Sequence, residues 1–151
     1  EGINDYIKAY ELLKDIGGYI TINISCPNTP DNRAFSTPKN FAKLMDAFDK
    51  LNPAKPVFIK LKPDFSEKEI DKFIAIAEKH SFITGFIISN LTKEKTNLKS
   101  SEYELAKIKG NLSGLPTKNK STALIRHVYR KTRGRYIIIG CGGIFSAEDA
   151  Y

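Results

Sequence analysis

The chain has 151 residues, 41% hydrophobic and 27% charged, the make-up of one globular domain or part of one. Its net charge is +7, yet no apolar run approaches the roughly 18 residues a membrane helix needs, and the acid-bearing, amphipathic start EGINDYIKAYELL is neither a signal nor a transit peptide. The two cysteines, Cys26 and Cys141, are far apart and lack metal-ligand spacing, so no disulfide scaffold and no metal site is expected, and a reducing intracellular compartment is.

In chain order, Ile3, Tyr6, Ile7, Tyr10 and Leu13 recur at helical spacing, and Gly17-Gly18 closes that helix. The β-branched run Tyr19 to Ser25 predicts a strand. After a loop with Pro27, Pro30 and Pro38, the residues Phe41, Leu44, Met45, Phe48 and Leu51 mark a second helix, ended by Pro53 and Pro56. Val57 to Leu61 is a short buried strand. Ser66 with Glu69 has capping-box spacing and opens a third helix, about Glu67 to Lys79. A third strand spans Ile83 to Ser89. The polar stretch Lys93 to Asn111 follows, with one short helix expected near Tyr103 to Ile108; so long a connection is often functional. Lys118 to Lys131 forms a further helix, Tyr136 to Ile139 a fourth strand, and Ser146 starts a last helix. Short apolar strands alternating with helices indicate an α/β fold with a parallel sheet. Tyr151 falls inside an element, so truncation is expected there and at Glu1.

The polar residues gather at the strands' carboxyl ends: Asn23, Ser25, Cys26 and Asn28; Lys60 and Lys62; Ser89, Asn90 and Thr92; then Cys141, Gly142 and Gly143. Ligands of parallel α/β folds bind at such ends, which argues for a site there. Lys60 interrupts the apolar run VFIKL, a costly place for a cation unless it is paired, functional or turned to water. Cys26, stiffened by Pro27, can serve as a base if its thiol is tuned; by residue type alone a small buried hydrophobe is the better reading. The GCGGI run and Ser113-Gly114 allow backbone amides to approach a phosphate, though each alone is a weak signal. His80 and His127 fall in helical stretches and read as surface or packing residues. The basic group Arg126, Arg130, Lys131, Arg133 and Arg135 has no base-stacking motif beside it, so a solvated surface is favoured over nucleic-acid binding. A basic nucleic-acid-binding α/β module stays as the alternative of another class.

Five ordered motifs carry a resemblance across nearly the whole chain: NISCPNTP (residues 23–30), IKLKPDFS (59–66), FIISNLT (86–92), NLSGLP (111–116) and IIIGCGGIFSAEDA (137–150). Together they resemble the dihydroorotate dehydrogenases, and look most like the quinone-linked class 2 branch. The resemblance implies an eight-stranded (β/α) TIM barrel that binds FMN. Residues 1–151 would be a partial FMN-binding barrel domain supplying about strands four to seven. It implies oxidation of dihydroorotate to orotate in pyrimidine biosynthesis. Cys26 would remove the C5 proton while hydride leaves C6. Asn23, Asn28 and Asn90 would bind the pyrimidine. Asn23, Lys60, Ser89, Ser113, Gly114, Cys141, Gly142 and Gly143 would surround the flavin. The implied partners are dihydroorotate, orotate and a quinone or other electron acceptor, with no nucleic acid. The implied location is the cytoplasm or the periphery of the cytoplasmic membrane, with membrane contact only through segments outside this chain. Two positions depart from the pattern. Cys26 stands where class 2 members usually have serine and class 1 members cysteine. Leu91 stands where a substrate-contacting hydroxyl is usual, with Thr92 next to it. A related FMN barrel acting on another dihydropyrimidine is the alternative enzyme. An isolated part-barrel is expected to be inactive, with exposed sheet edges.

Overall fold

The computed structural model describes residues 2–25, 35–95, 98, 101, 104 and 107–151. Helix α1 (Gly2–Leu13) leads to strand β1 (Ile20–Asn23), then α2 (Pro38–Asp49), β2 (Val57–Leu61), α3 (Glu67–Ala77) and β3 (Ile83–Ile88). A 3₁₀ turn (Leu115–Thr117) opens α4 (Lys118–Thr132), followed by β4 (Ile137–Gly140) and α5 (Ala147–Ala150). The strands form one parallel sheet in chain order, β1-β2-β3-β4. The short helix expected near Tyr103 to Ile108 falls largely outside the described residues.

Register explains the two faces of the sheet. Ile22, Ile59, Phe86 and Ile138 stand side by side and all join the hydrophobic core. They meet Phe41, Leu44, Met45 and Phe48 of α2, Ile70, Phe73 and Ile74 of α3, and Leu124 and Val128 of α4. Each large side chain so buried contributes about 1.5–3 kcal/mol. Strand side chains alternate, so the neighbouring rows, Thr21-Phe58-Gly85 and Asn23-Lys60-Ile87, face away from the helices. Gly85 is required here. A Cβ on it would lie 2.0 Å from the Ile137 carbonyl oxygen and 3.0 Å from the Phe58 ring.

Local chemistry sets the helix starts. Pro38 occupies the first turn of α2, and Thr37 accepts a bond from the Asn40 amide. At α3 the capping box is complete: Ser66 accepts from the Glu69 amide, and the Ser66 amide donates to Glu69 at 2.8 Å. Expected boundaries shift where side chains compete with the ladder. The first strand stops at Asn23 rather than Ser25, because the Ser25 amide turns to the Asn23 side-chain oxygen at 3.2 Å. Helix α3 ends at Ala77, so His80 lies in the following turn and not in a helix. It is buried there, 3.6 Å from Asp46 and 3.7 Å from Asp49.

Candidate active site

The carboxyl rim of the sheet brings several expected site residues together. Asn23 is the last residue of β1 and the direct register partner of Lys60 on β2, on the face turned away from the helices. Lys60 is half-buried, and among the described residues no hydrogen bond or ion pair engages its ammonium. Asn90 follows β3, its amide donating to the Leu61 carbonyl at 3.0 Å. Its side chain then reaches over the end of β2. Asn90 Nδ2 donates to Ser25 Oγ at 2.7 Å, and Ser25 Oγ donates to Asn23 Oδ1 at 2.6 Å. Asn90 Oδ1 accepts from the Leu91 amide at 2.9 Å, which fixes the flip of the carboxamide. Tyr6 of α1 donates to the Asn23 carbonyl at 2.6 Å. Two amides and a hydroxyl therefore form one chain across three strands.

Ser89 lies beside this chain, 3% exposed, with its hydroxyl 2.6 Å from that of Ser121 on α4. The ladder continues past the strand ends here. Ser89 N donates to the Cys141 carbonyl at 2.9 Å, and Cys141 N to the Ile88 carbonyl at 2.6 Å. Cys141 itself is an exposed free thiol.

The two glycine loops converge on the start of α4. Thr117, 1% exposed, donates from both its amide and its hydroxyl to the Gly114 carbonyl. A Cβ on Gly142 would come within 3.0 Å of the Thr117 hydroxyl. At Gly143, with φ of 77°, a Cβ would lie 2.6 to 2.9 Å from backbone and Cβ atoms of Lys118. Glycine at these positions lets the β4–α5 loop lie against the first residues of α4. Lys118 also pairs with Asp149, whose carboxyl it holds below the usual carboxylate range, helped by the Phe145 amide. Ser113 is exposed on the facing loop.

A second polar cluster adjoins the rim. A cleft of about 420 Å³ is lined by Ser25, Lys62, Asp64, Leu91, Lys93, Glu94 and Lys120. Asp64 accepts from Thr92 Oγ1 at 2.5 Å, Lys120 Nζ at 2.8 Å and the Lys93 amide at 2.9 Å. Burial pushes this carboxyl up, but the three donors outweigh it and leave it below its ordinary range. Thr92 is 1% exposed and committed to Asp64, so it does not offer the hydroxyl that Leu91 lacks.

Cys26 and Asn28 lie outside the described residues. The histidines lie away from the rim: His80 precedes β3, and His127 bridges α4 to Asp71 of α3 at 2.8 Å. In the basic group, Lys131 pairs with Asp71 and Arg135 with Glu78, so these charges tie elements together. Reasoning from the sequence named the strand-end amides and Lys60 but gave no role to Ser25, Asp64, Thr117, Lys120 or Ser121. Ser25 and Asp64 stand in motifs already singled out; for Thr117, Lys120 and Ser121 no spacing signals the contact. Among the described residues no cluster of three or more metal-ligating side chains occurs, and no helix is long and apolar enough to cross a membrane.

The chain is 35% identical to the dihydroorotate dehydrogenase (quinone) of Trichormus variabilis, over 97% of this chain and 40% of that protein. It is 33% identical to the protein of the same name from Myxococcus xanthus, over 100% of this chain and 41% of the other. The chain thus spans about two fifths of the length of these relatives. Two crystal structures of DHODH from Eimeria tenella superpose closely, each at 25% identity. The complex with ferulenol gives a TM-score of 0.85 over 98% of this chain and 44% of the other, and the ligand-free form 0.87 over 99% and 46%. The parallel sheet and its helices therefore correspond to part of that α/β barrel, the fold class expected from the motifs. The dihydroorotate dehydrogenase family model matches residues 1–151, and the chain belongs to the dihydroorotate dehydrogenase family.

Proposed function

We propose that the protein oxidises dihydroorotate to orotate in pyrimidine biosynthesis, residues 1–151 forming part of one FMN-binding barrel domain whose electrons pass to a quinone. The carrying observation is the joined rim, where Asn23, Ser25 and Asn90 are hydrogen-bonded in series beside Lys60, whose ammonium no other described residue engages, in a chain of this family. Relatives named as quinone-dependent support the choice of acceptor. A quinone is membrane-soluble, so we place the protein in the cytoplasm or on the periphery of the cytoplasmic membrane, touching it through segments other than these.

The residues present fit FMN. Lys60 offers a half-buried cation without an acidic partner among the described residues, suited to an anionic ring. Ser89 follows the neighbouring strand β3, while Ser113, Gly114, Cys141, Gly142 and Gly143 belong to two loops that meet at the start of α4, where backbone amides can hold a phosphate. When bound, FMN supplies the two-electron acceptor for the hydride leaving C6 of the substrate. Asn23, Asn28 and Asn90 present amide donors and acceptors to the edge of the pyrimidine and orient it. Lys60 offsets negative charge that develops next to it. Cys26, as thiolate, takes the C5 proton.

Anaerobic mixing of the full-length protein with dihydroorotate tests this reading. The flavin absorbance should bleach on adding dihydroorotate, and Cys26→Ala should slow bleaching by about 10²–10⁴-fold, the worth of a positioned base. A wild-type protein that binds FMN but is not reduced by dihydroorotate overturns the proposed substrate. A Cys26→Ala variant bleaching at the wild-type rate removes the base assignment alone.

A further inference from the structure

We infer that Asp64, with Thr92 and Lys120, forms a clamp that pins together the two ends of the long connection after β3, and so sets Asn90 and the Ser113-Gly114 loop in fixed relation. The inference rests on the reading of Asn90 as a substrate-binding residue.

Three separate segments meet in the clamp. Asp64 comes from the turn between β2 and α3, Thr92 from the exit of β3, and Lys120 from the first turn of α4. Thr92 and Leu112 exchange backbone hydrogen bonds in both directions, each 2.8 Å, as an isolated antiparallel bridge. The connection therefore leaves and returns at one point. Asn90 lies two residues before that point, and Ser113 directly after it. Asp64 locks the outgoing strand through the Thr92 hydroxyl and the Lys93 amide. Lys120 closes the returning side, reaching Asp64 at 2.8 Å and Thr92 Oγ1 at 3.3 Å, and also pairing with Glu94.

The chemistry of the cluster demands a carboxylate. Oδ1 takes both Thr92 and Lys120, and Oδ2 takes the Lys93 amide. An asparagine has one acceptor oxygen, so its NH₂ group would face a donor whichever way it flipped. The charged groups bordering the clamp are Lys62 before the turn, Lys93 and Glu94 after β3, and Lys120 on α4. Lysines outnumber acids there, which suits an ionised Asp64. None of the three clamp residues needs to touch substrate, so each is a positioning residue.

The test uses the full-length protein with FMN bound. Orotate affinity is read from the perturbation of the flavin spectrum, and steady-state constants are measured with dihydroorotate. Asp64→Asn should raise the Kd for orotate and the KM for dihydroorotate about tenfold, the size of one charge-assisted hydrogen bond, while changing kcat much less. Thr92→Val should act in the same direction, and Thr92→Ser, which keeps the hydroxyl, should restore near wild-type binding. Combining Asp64→Asn with Thr92→Val should add little to either alone, since both break one cluster. A second readout needs no ligand: hydrogen exchange at the Thr92 and Leu112 amides should accelerate about tenfold or more in Asp64→Asn and Thr92→Val. Unchanged orotate binding in both variants, with wild-type protection of the bridge, overturns the clamp. Accelerated exchange in a protein whose wild type binds no orotate would uphold the clamp and instead sink the proposed substrate.

Discussion

At the scale of single residues, Lys60 is the most informative position. Its chain neighbours Ile59 and Leu61 are fully buried among the helices, while Lys60 points to the other face beside Asn23. A strand cation with no acidic partner among the described residues is a poor stabiliser and a good ligand group. Lys60→Met keeps the length of the side chain and removes the charge. It is expected to leave the melting temperature of the flavin-free protein unchanged or raised, yet to slow flavin reduction by about 10²–10³-fold, as loss of an electrostatic stabiliser does. Wild-type reduction kinetics in this variant would show that the lysine serves solubility alone. Lys60, Asn23, Ser89 and Asn90 were legible in the sequence because a polar residue at the end of an apolar strand is conspicuous by itself. The same signal marked Ser25 as a strand-end residue but not its bond to Asn90, and Asp64 and Ser121 carried no such mark, because what matters about all three is a partner far along the chain: Asn90 is 65 residues from Ser25, and Lys120 is 56 from Asp64. No periodicity encodes such a pair.

At the scale of elements, α3 shows how much local chemistry can specify. Ser66 and Glu69 were recognisable as a capping box, and the helix begins at Glu67 as that pattern requires. The Ser66 hydroxyl and amide together hold the Glu69 carboxyl below its usual range. Ser66→Ala should cost about 1 kcal/mol. In urea unfolding of the full-length protein this appears as a lower midpoint with an unchanged slope; a shift in the slope instead would mean that the cap shapes the unfolded ensemble. Strand β1 was less legible. The run Tyr19 to Ser25 is rich in β-branched residues, but the Asn23 side chain accepts from the Ser25 amide and ends the ladder early. That early end frees Ser25 to join Asn90, so the irregularity and the site share one cause. His80 was misplaced because Glu78 and Lys79 suit a helix, whereas the chain turns after Ala77, its His80 amide bonding to the Ala77 carbonyl.

At the scale of the whole molecule, α4 is the hub of the charges, and this has a consequence for acid stability. Carboxylates from four other segments are anchored on it: Asp64 and Glu94 on Lys120, Asp71 on Lys131 and His127, and Asp149 on Lys118. Hydrogen bonding to Lys131 leads in depressing Asp71, and bonding to Lys118 leads for Asp149; at Asp64 burial works the other way and is outweighed. A carboxyl with a folded pKa below its unfolded value stabilises the fold above the unfolded pKa, and that contribution disappears as pH falls through the folded one. Lys120 is raised, burial being outweighed by Asp64 and Glu94, so its share is present at and below neutral pH and is lost only in strong alkali. Stability should therefore be nearly flat through neutrality and fall below about pH 4, where ordinary carboxyls begin to protonate. The exposed pairs should contribute least and be further weakened by salt; Asp64 is less exposed than Asp71 and should outweigh it, and Asp149, less exposed still, should add its own share. Thermal midpoints of the full-length protein between pH 7 and pH 3 measure this directly. The combined variant Asp64→Asn, Asp71→Asn should start lower at pH 7 and lose less on acidification than the wild type. Parallel curves for the two proteins would place the acid-sensitive groups elsewhere and leave α4 held by its apolar contacts through Leu124 and Val128.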